Sequence, residues 1–294
     1  MKTAIVTGGT GFLGFALIQE LVKNGVQIYA VCRKHSSRLQ RLEGISGVKI
    51  IETDLFNPNM SEMPTSADVF YHLAWEGARD DFDAQYKNIE MSINCVRIAS
   101  QLSCKRFICT GSQAEYGNTS ELITETTELN PTTAYGSCKV AAYYLASDLI
   151  SKLGIEFVWA RVFSVYGAND NPNTLISSLF KELMLNKEAF LQTDGEHIWN
   201  YLYDADATLA LRLLGSVLNP DKIYNVASCS NKPLKAYTEI LRNVVDTNSI
   251  IHYGNDRSLI NLNVSTEKLV SSIGKYELNS YEECIGRIMC SKNM

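Results

Sequence analysis

Short runs of apolar and β-branched residues recur along the first half of the chain, each closed by glycine or a polar cluster. They are "TAIVTGG" from Thr3, "VQIYAVC" from Val26, "VKIIETD" from Val48, "DVFYHLA" from Asp68, "KRFICTGS" from Lys105 and "IEFVWARVF" from Ile155. The runs are almost continuously apolar, without the alternation of a half-exposed sheet, which predicts strands buried on both faces of a parallel sheet. Longer stretches with apolar residues at helical spacing lie between most of them. The first of these, "FLGFALIQELVKNG" from Phe12, runs to a glycine stop. Strands alternating with helices predict an α/β fold, a doubly wound parallel sheet with right-handed crossovers.

Beyond Phe163 the pattern changes. "SVYGANDNPNT" reads as loop and "LISSLFKELMLNKE" as helix; a later strand "IYNVAS" precedes helices near "LKAYTEILRNVV" and "YEECIGRIM". The expected organisation is a dinucleotide-binding unit over residues 1–163, with contributions from about 201–228. A smaller, interleaved substrate-binding portion over 164–200 and 229–294 then packs over the carboxyl ends of the strands.

Composition narrows the picture. With 46% hydrophobic and 20% charged residues and only 6 prolines in 294, the chain is neither fibrous nor disordered. Its 27 basic and 32 acidic residues leave a net charge of −5, which disfavours nucleic acid as a partner and requires any anionic ligand to find a local cationic pocket. No apolar run reaches the length of a membrane span, and "MKTAIVTGG" enters a strand without a leader pattern, so a soluble, cytoplasmic protein is expected. Eight cysteines without a CxxC pair and four scattered histidines predict reduced, buried thiols and no metal site.

The chemistry begins at "TGGTGFLG". Gly9, Gly11 and Gly14 fit one glycine spacing of dinucleotide loops and Gly8, Gly11 and Gly14 the longer one, directly between the first strand and the first helix. Such glycines permit a tight turn and close backbone approach, and the helix that follows, opening at Phe12 and Leu13, aims its N–H groups at a pyrophosphate. This is the signature of a Rossmann-type site. The second strand ends "AVCRKHSSR", with Arg33, Lys34 and Arg38 where a carboxylate would hold a ribose 2′-OH, so NADP(H) is expected over NAD(H).

In "TAYGSCK", Tyr135 and Lys139 stand four residues apart in a helix predicted over 133–152, on one face and able to act at one site. A phenol is a poor acid–base catalyst at neutral pH, and a nearby ammonium favours its phenolate. Ser112 follows the fifth strand in "CTGSQAEYG", at the edge where a carbonyl oxygen would receive its hydroxyl. Together the three residues suit carbonyl and hydride chemistry: Ser112 orients the carbonyl, Tyr135 transfers the proton and Lys139 tunes it.

These elements, with "TDL" at 53–55, "FYHLA" at 70–74 and "ARVFSVYG" at 160–167, resemble the extended short-chain dehydrogenase/reductase family, in particular its nucleotide-sugar epimerases, 4-ketoreductases and dehydratases, over nearly the whole chain. The resemblance implies that Ser112, Tyr135 and Lys139 are catalytic, that Asp54 and Leu55 lie near the adenine and that Leu73 and Ala74 lie near the cofactor diphosphate and ribose. It puts Asn88 beneath the active site among the cofactor-holding residues. Arg257 matches the family's late substrate arginine, and Ser164 stands where the family often has asparagine. Trp75 and Glu76 in "AWEGARDDF", Gln113, and Asn173 with Thr174 are further candidates for substrate contact.

The departures from the family pattern also narrow the reaction. Dehydratases of the family carry Asp-Glu directly after the catalytic Ser/Thr; here Gln113 and Ala114 stand there and Glu115 is displaced by one, which argues against 4,6-dehydration. Trp199-Asn200 replaces an arginine-aspartate pair, removing one usual contact to a substrate diphosphate. The leading expectation is an NADP(H)-dependent reductase of the 4-keto group of a nucleotide-linked deoxysugar, of the abequose-synthase kind. The alternative is an NAD-dependent UDP-hexose 4-epimerase; a non-catalytic dinucleotide sensor would have no use for the Ser-Tyr-Lys set. The family habit of pairing the helices around "YGSCK" suggests a homodimer.

Overall fold

The computed structural model describes residues 1–257 and 260–292. In chain order the first half gives β1 (Thr3–Thr7), α1 (Phe12–Lys23), β2 (Gln27–Cys32), β3 (Val48–Glu52), β4 (Val69–His72), α2 (Phe82–Gln101), β5 (Arg106–Ser112), α3 (Ala134–Leu153) and β6 (Glu156–Val162). There follow β7 (Ser164–Tyr166), α4 (Leu175–Met184), β8 (Ala189–Thr193), β9 (Ile198–Trp199), β10 (Tyr201–Tyr203) and α5 (Asp204–Leu214). The remainder is β11 (Ile223–Val226), β12 (Lys232–Pro233), α6 (Leu234–Val245), β13 (Ile251–Asp256), α7 (Glu267–Ile273) and α8 (Tyr281–Lys292).

Seven parallel strands form the central sheet in the order β11-β6-β5-β4-β1-β2-β3. Every run predicted as a strand is one of them, and the fold is the doubly wound α/β sheet that the pattern implies. The reason is visible in β1: Ala4 and Val6 enter the core on one face with Leu17, Leu21 and Leu211, while Ile5 enters the other with Met91, Val96 and Ile150. Both faces bury apolar side chains, α1 and α5 covering one and α2 and α3 the other, at about 1.5–3 kcal/mol per large side chain. A third cluster joins α4, α6 and α8 through Phe180, Leu183, Leu241 and Ile285.

Strand order reverses between β1 and β4, and open α/β sheets bind ligands in the crevice at such a switch point. The loops after β1 and β4 meet there. Two thiols depart from expectation: Cys229 and Cys290 are exposed, the other six buried. Among the described residues no helix is long and apolar enough to cross a membrane.

Candidate active site

The glycine turn is shaped by close approach. Gly8 has φ +72°, and a Cβ there would stand 2.8 Å from Ala74 N; a Cβ on Gly14 would stand 2.2 Å from Gly8 O. Helix α1 starts at Gly11 without a side-chain cap and without an acidic residue in its first turn, so its N-terminal N–H groups are left for an anion. Thr7 ties this turn to the neighbouring strand: its Oγ1 bonds His72 Nδ1 at 2.9 Å and accepts from Ala74 N. Burial, and then the Lys139 ammonium, push the His72 pKa down to about 3, so this imidazole is a neutral strut between Thr7 and Ser92.

The resulting groove has a volume of about 680 Å³ and is lined by Gly8, Gly11, Leu55, Leu73, Ala74 and the β2 end from Arg33 to Arg38. These features fit a dinucleotide: a diphosphate on the α1 N-terminus, apolar walls for the rings and cations at the far rim. Arg33 is not free, however, because its Nη1 lies 3.1 Å from Glu76 Oε1. Among the described residues Lys34 and Arg38 form no ion pair.

A second cavity of about 720 Å³ adjoins the groove across Leu73 and Trp75, which line both. Ser112, Tyr135 and Lys139 line it together. Helix α3 delivers the last two. Thr133 caps it by accepting from Gly136 N at 3.1 Å. Gly136 lets it approach the turn after Ser112, since a Cβ there would meet Ala114 O at 2.3 Å. Ser112 Oγ accepts from Ala114 N, which leaves its own O–H to donate into the cleft. Lys139, only 3% exposed, donates to Thr110 O at 2.7 Å and holds Nζ 3.5 Å from the centroid of the Trp75 indole. Of its three N–H groups, one thus remains for a ligand.

Trp75 is fixed in turn. Its Nε1 donates to Gln85 Oε1 at 2.6 Å, and its ring meets Tyr135 edge-on at 6.0 Å. Buried Gln85 and Asn88 also bond the backbone carbonyl of Glu76, and Gln85 that of Ala78.

Beneath Ser112 lies a closed ionic network. Glu115 is fully buried and accepts from Ser112 N, Trp159 Nε1 and Arg161 Nε, the last at 2.7 Å. Burial opposes charge on Arg161, but Glu115 and Tyr116 raise its pKa above the usual value. The displaced carboxylate therefore faces the core, and Gln113, with Ala114, takes its place in the cleft wall. The Gln113 amide is paired with Ser164 Oγ at 3.2 Å.

Several expected contacts lie elsewhere. Glu76 lines the dinucleotide groove opposite Arg33 and not the substrate cleft. Asn88 faces the loop after β4, where it bonds Glu76 N and O, so it supports the groove wall without lining it. Asp54 is exposed and caps its own turn through Phe56 N, leaving only Leu55 in the groove. Asn173 is exposed, gives its backbone N–H to Asn171 Oδ1 and does not line the cleft, while Asp170, Asn171 and Thr174 do. Arg257 is exposed and paired with Asp194 at 2.8 Å, outside the cleft. Sequence reasoning missed Arg79, Tyr201, Ile260 and Leu262, which do line it. Trp199 lines it too, with its Nε1 buried and unpartnered, whereas Asn200 is buried against the Ser228–Asn231 loop.

Comparison with known proteins agrees with this geometry. The model of the NAD dependent epimerase/dehydratase family matches residues 4–227. A curated relative, an uncharacterized UDP-glucose epimerase of Bacillus subtilis, is 22% identical over 265 residues, covering 85% of this chain and 84% of its own. Among solved structures, a UDP-N-acetylglucosamine 4-epimerase from Methanobrevibacter ruminantium, in complex with UDP-N-acetylmuramic acid, superposes with a TM-score of 0.89 at 19% identity over 99% of both chains. A UDP-glucuronic acid 4-epimerase from Bacillus cereus, in complex with UDP-glucuronic acid and NAD, gives 0.85 at 20% identity, covering 100% of this chain and 99% of its own. At such identities these likenesses speak for the fold.

Proposed function

The chain belongs to the NAD-dependent epimerase/dehydratase family and is an enzyme of that family; on that premise we propose that it carries out oxidation and reduction at C4 of a nucleotide-linked sugar, with 4-epimerisation on bound NAD(H) as the first reading. The single observation that carries it is the convergence of Ser112, Tyr135 and Lys139 in one cleft that shares the Trp75 wall with the glycine-loop groove, while the nearby carboxylate, Glu115, is locked to Arg161. Without an acid and base after Ser112, elimination of water lacks its machinery. The solved relatives named above, both 4-epimerases and one of them holding NAD, support the same reading.

A nicotinamide bound in the groove would supply hydride acceptance and return. The chain's own residues handle the proton and the positioning. Tyr135 exchanges the proton of the C4 oxygen, Ser112 donates its O–H to that oxygen when it is a carbonyl, and Lys139 stabilises the phenolate and would hold the cofactor ribose with its remaining N–H. Gly8 and Gly11 in the groove, with the N-terminal N–H groups of α1 at Phe12 and Leu13, would hold the diphosphate, and Gly14 lets the helix close on the turn at Gly8. Gln113, paired with Ser164, bounds the sugar. For epimerisation the ketone has to turn over within the cleft, and a volume of about 720 Å³ leaves room for that.

A second reading, NADP(H)-dependent reduction of a 4-keto deoxysugar, is favoured by the unpaired Lys34 and Arg38 at the groove rim. The Arg33–Glu76 pair works against it by neutralising the cation nearest the strand end. Identifying the cofactor that copurifies separates the two: bound NAD with interconversion of UDP-glucose and UDP-galactose supports the first, and NADPH oxidation with nucleotide-linked 4-keto sugars supports the second. If Tyr135→Phe left turnover unchanged with cofactor bound, both would be wrong. A homodimer through α2 and α3 suits the exposed Phe82, Tyr86, Tyr144 and Leu145 on those helices; light scattering of the purified protein tests it.

A further inference from the structure

Among the described residues the catalytic cleft holds one cation without a task in the reaction. Arg79, in the loop after β4, lines the same cleft as Ser112 and Tyr135, with its guanidinium carbon 5.2 Å from the centroid of the Tyr135 ring. The backbone just before it is pinned, because Ala78 O accepts from both Gln85 Nε2 and Asp81 N. Among the described residues no ion pair includes Arg79. Asp81 is committed to capping α2 through Ala84 N, and Asp170, a carboxylate in the cleft lining, accepts from Thr174 Oγ1 and Asn171 N. Among the described residues the other cleft walls from the C-terminal half, such as Trp199, Tyr201 and Leu262, bring no charge.

We propose that Arg79 receives a carboxylate carried by the sugar ring itself, so that the preferred substrate is a nucleotide-linked uronic acid; this rests on reading the cleft as a nucleotide-sugar site. The position of Arg79 decides between the two anions such a substrate offers. A guanidinium stacked on the phenol that serves C4 lies beside the sugar ring, whereas the diphosphate hangs from C1, across that ring. Arg79 is exposed at the mouth of the cleft, and its guanidinium matches a carboxylate with two parallel N–H donors, a pairing that a neutral hydroxymethyl group cannot make.

Calorimetric binding of UDP-glucuronate and UDP-glucose to the protein with its copurifying cofactor tests this, because the nucleotide contribution cancels in the ratio of the two affinities. Wild type is expected to prefer UDP-glucuronate by on the order of tenfold or more. Arg79→Gln should bring the ratio close to one, and Arg79→Lys should retain part of the preference. Equal or weaker binding of UDP-glucuronate by wild type would overturn the inference. So would an Arg79→Gln variant that loses affinity for both ligands alike, which would assign Arg79 to the diphosphate. Binding of neither ligand would remove the nucleotide-sugar reading as well, so the two failures are distinguishable.

Discussion

Replacing Glu115 by glutamine tests the claim that a carboxylate near the catalytic serine serves the fold and not the reaction. Glu115 and Arg161 are 0% and 2% exposed at their side chains and 2.7 Å apart. Glutamine keeps an oxygen for Ser112 N and Trp159 Nε1 but removes the charge and turns an amide N–H₂ towards a guanidinium. Arg161 would retain only Tyr116 Oη at 2.8 Å and the more distant Glu125 O. Leaving one buried charge uncompensated costs about 3–5 kcal/mol, which for a chain of this size lowers the thermal midpoint by on the order of 10 °C. Urea unfolding of wild type and Glu115→Gln measures the first quantity and calorimetry the second. The double variant Glu115→Leu/Arg161→Met should recover much of the loss, because it removes both charges from the core. A Glu115→Gln variant within about 1 kcal/mol of wild type would refute the reasoning, as it would mean that water or a rearranged partner reaches Arg161.

Three further outcomes follow from the geometry. Gly136→Ala should lower kcat sharply despite alanine's better helix propensity, worth roughly 1 kcal/mol, because the new Cβ would stand 2.3 Å from Ala114 O and push Tyr135 away from Ser112; unchanged steady-state kinetics would contradict this. Trp75→Leu removes the π-face over Lys139 and should reduce kcat about tenfold, the equivalent of a desolvated cation–π contact, while Trp75→Phe keeps most of it; both variants take the donor from buried Gln85 and should lower the unfolding midpoint alike, so the difference in kcat isolates the π-face. Burial raises the Asp206 pKa from 3.8 to about 6. The native state therefore holds a proton that the unfolded chain releases, and this group's contribution to stability falls by about 2 kcal/mol as pH rises from 4 to 6. Asp206→Asn should abolish that part of the slope, whereas unfolding free energies that run parallel for the two proteins across this window would show that Asp206 titrates normally.

What the sequence made legible follows the range of the forces involved. The central strands could be read because most are apolar on both faces, a property contained within four to seven residues. β8 and β13 could not, since they are stabilised by pairing Ala189 with Ile251, far apart in the chain, and they alternate exposed with buried positions only weakly. The same distinction divides the site. Ser112, Tyr135 and Lys139 were legible from chain order, because a strand end and a helix start bring them to one edge whatever the surroundings. Arg33 and Glu76 were each assigned alone, one to a 2′-phosphate and one to a sugar, and the ion pair between them is a contact that neither assignment anticipated. Glu115 shows the difference within one residue: its displacement from the dehydratase position was visible in the sequence, but the partner that holds it, Arg161, lies one strand away in β6. A cation in such a site acquires meaning from which anions are already committed. Arg33, Arg161 and Arg257 all have carboxylate partners in the fold, and Arg79, which faces Tyr135 across the open cleft, leaves that place to the substrate.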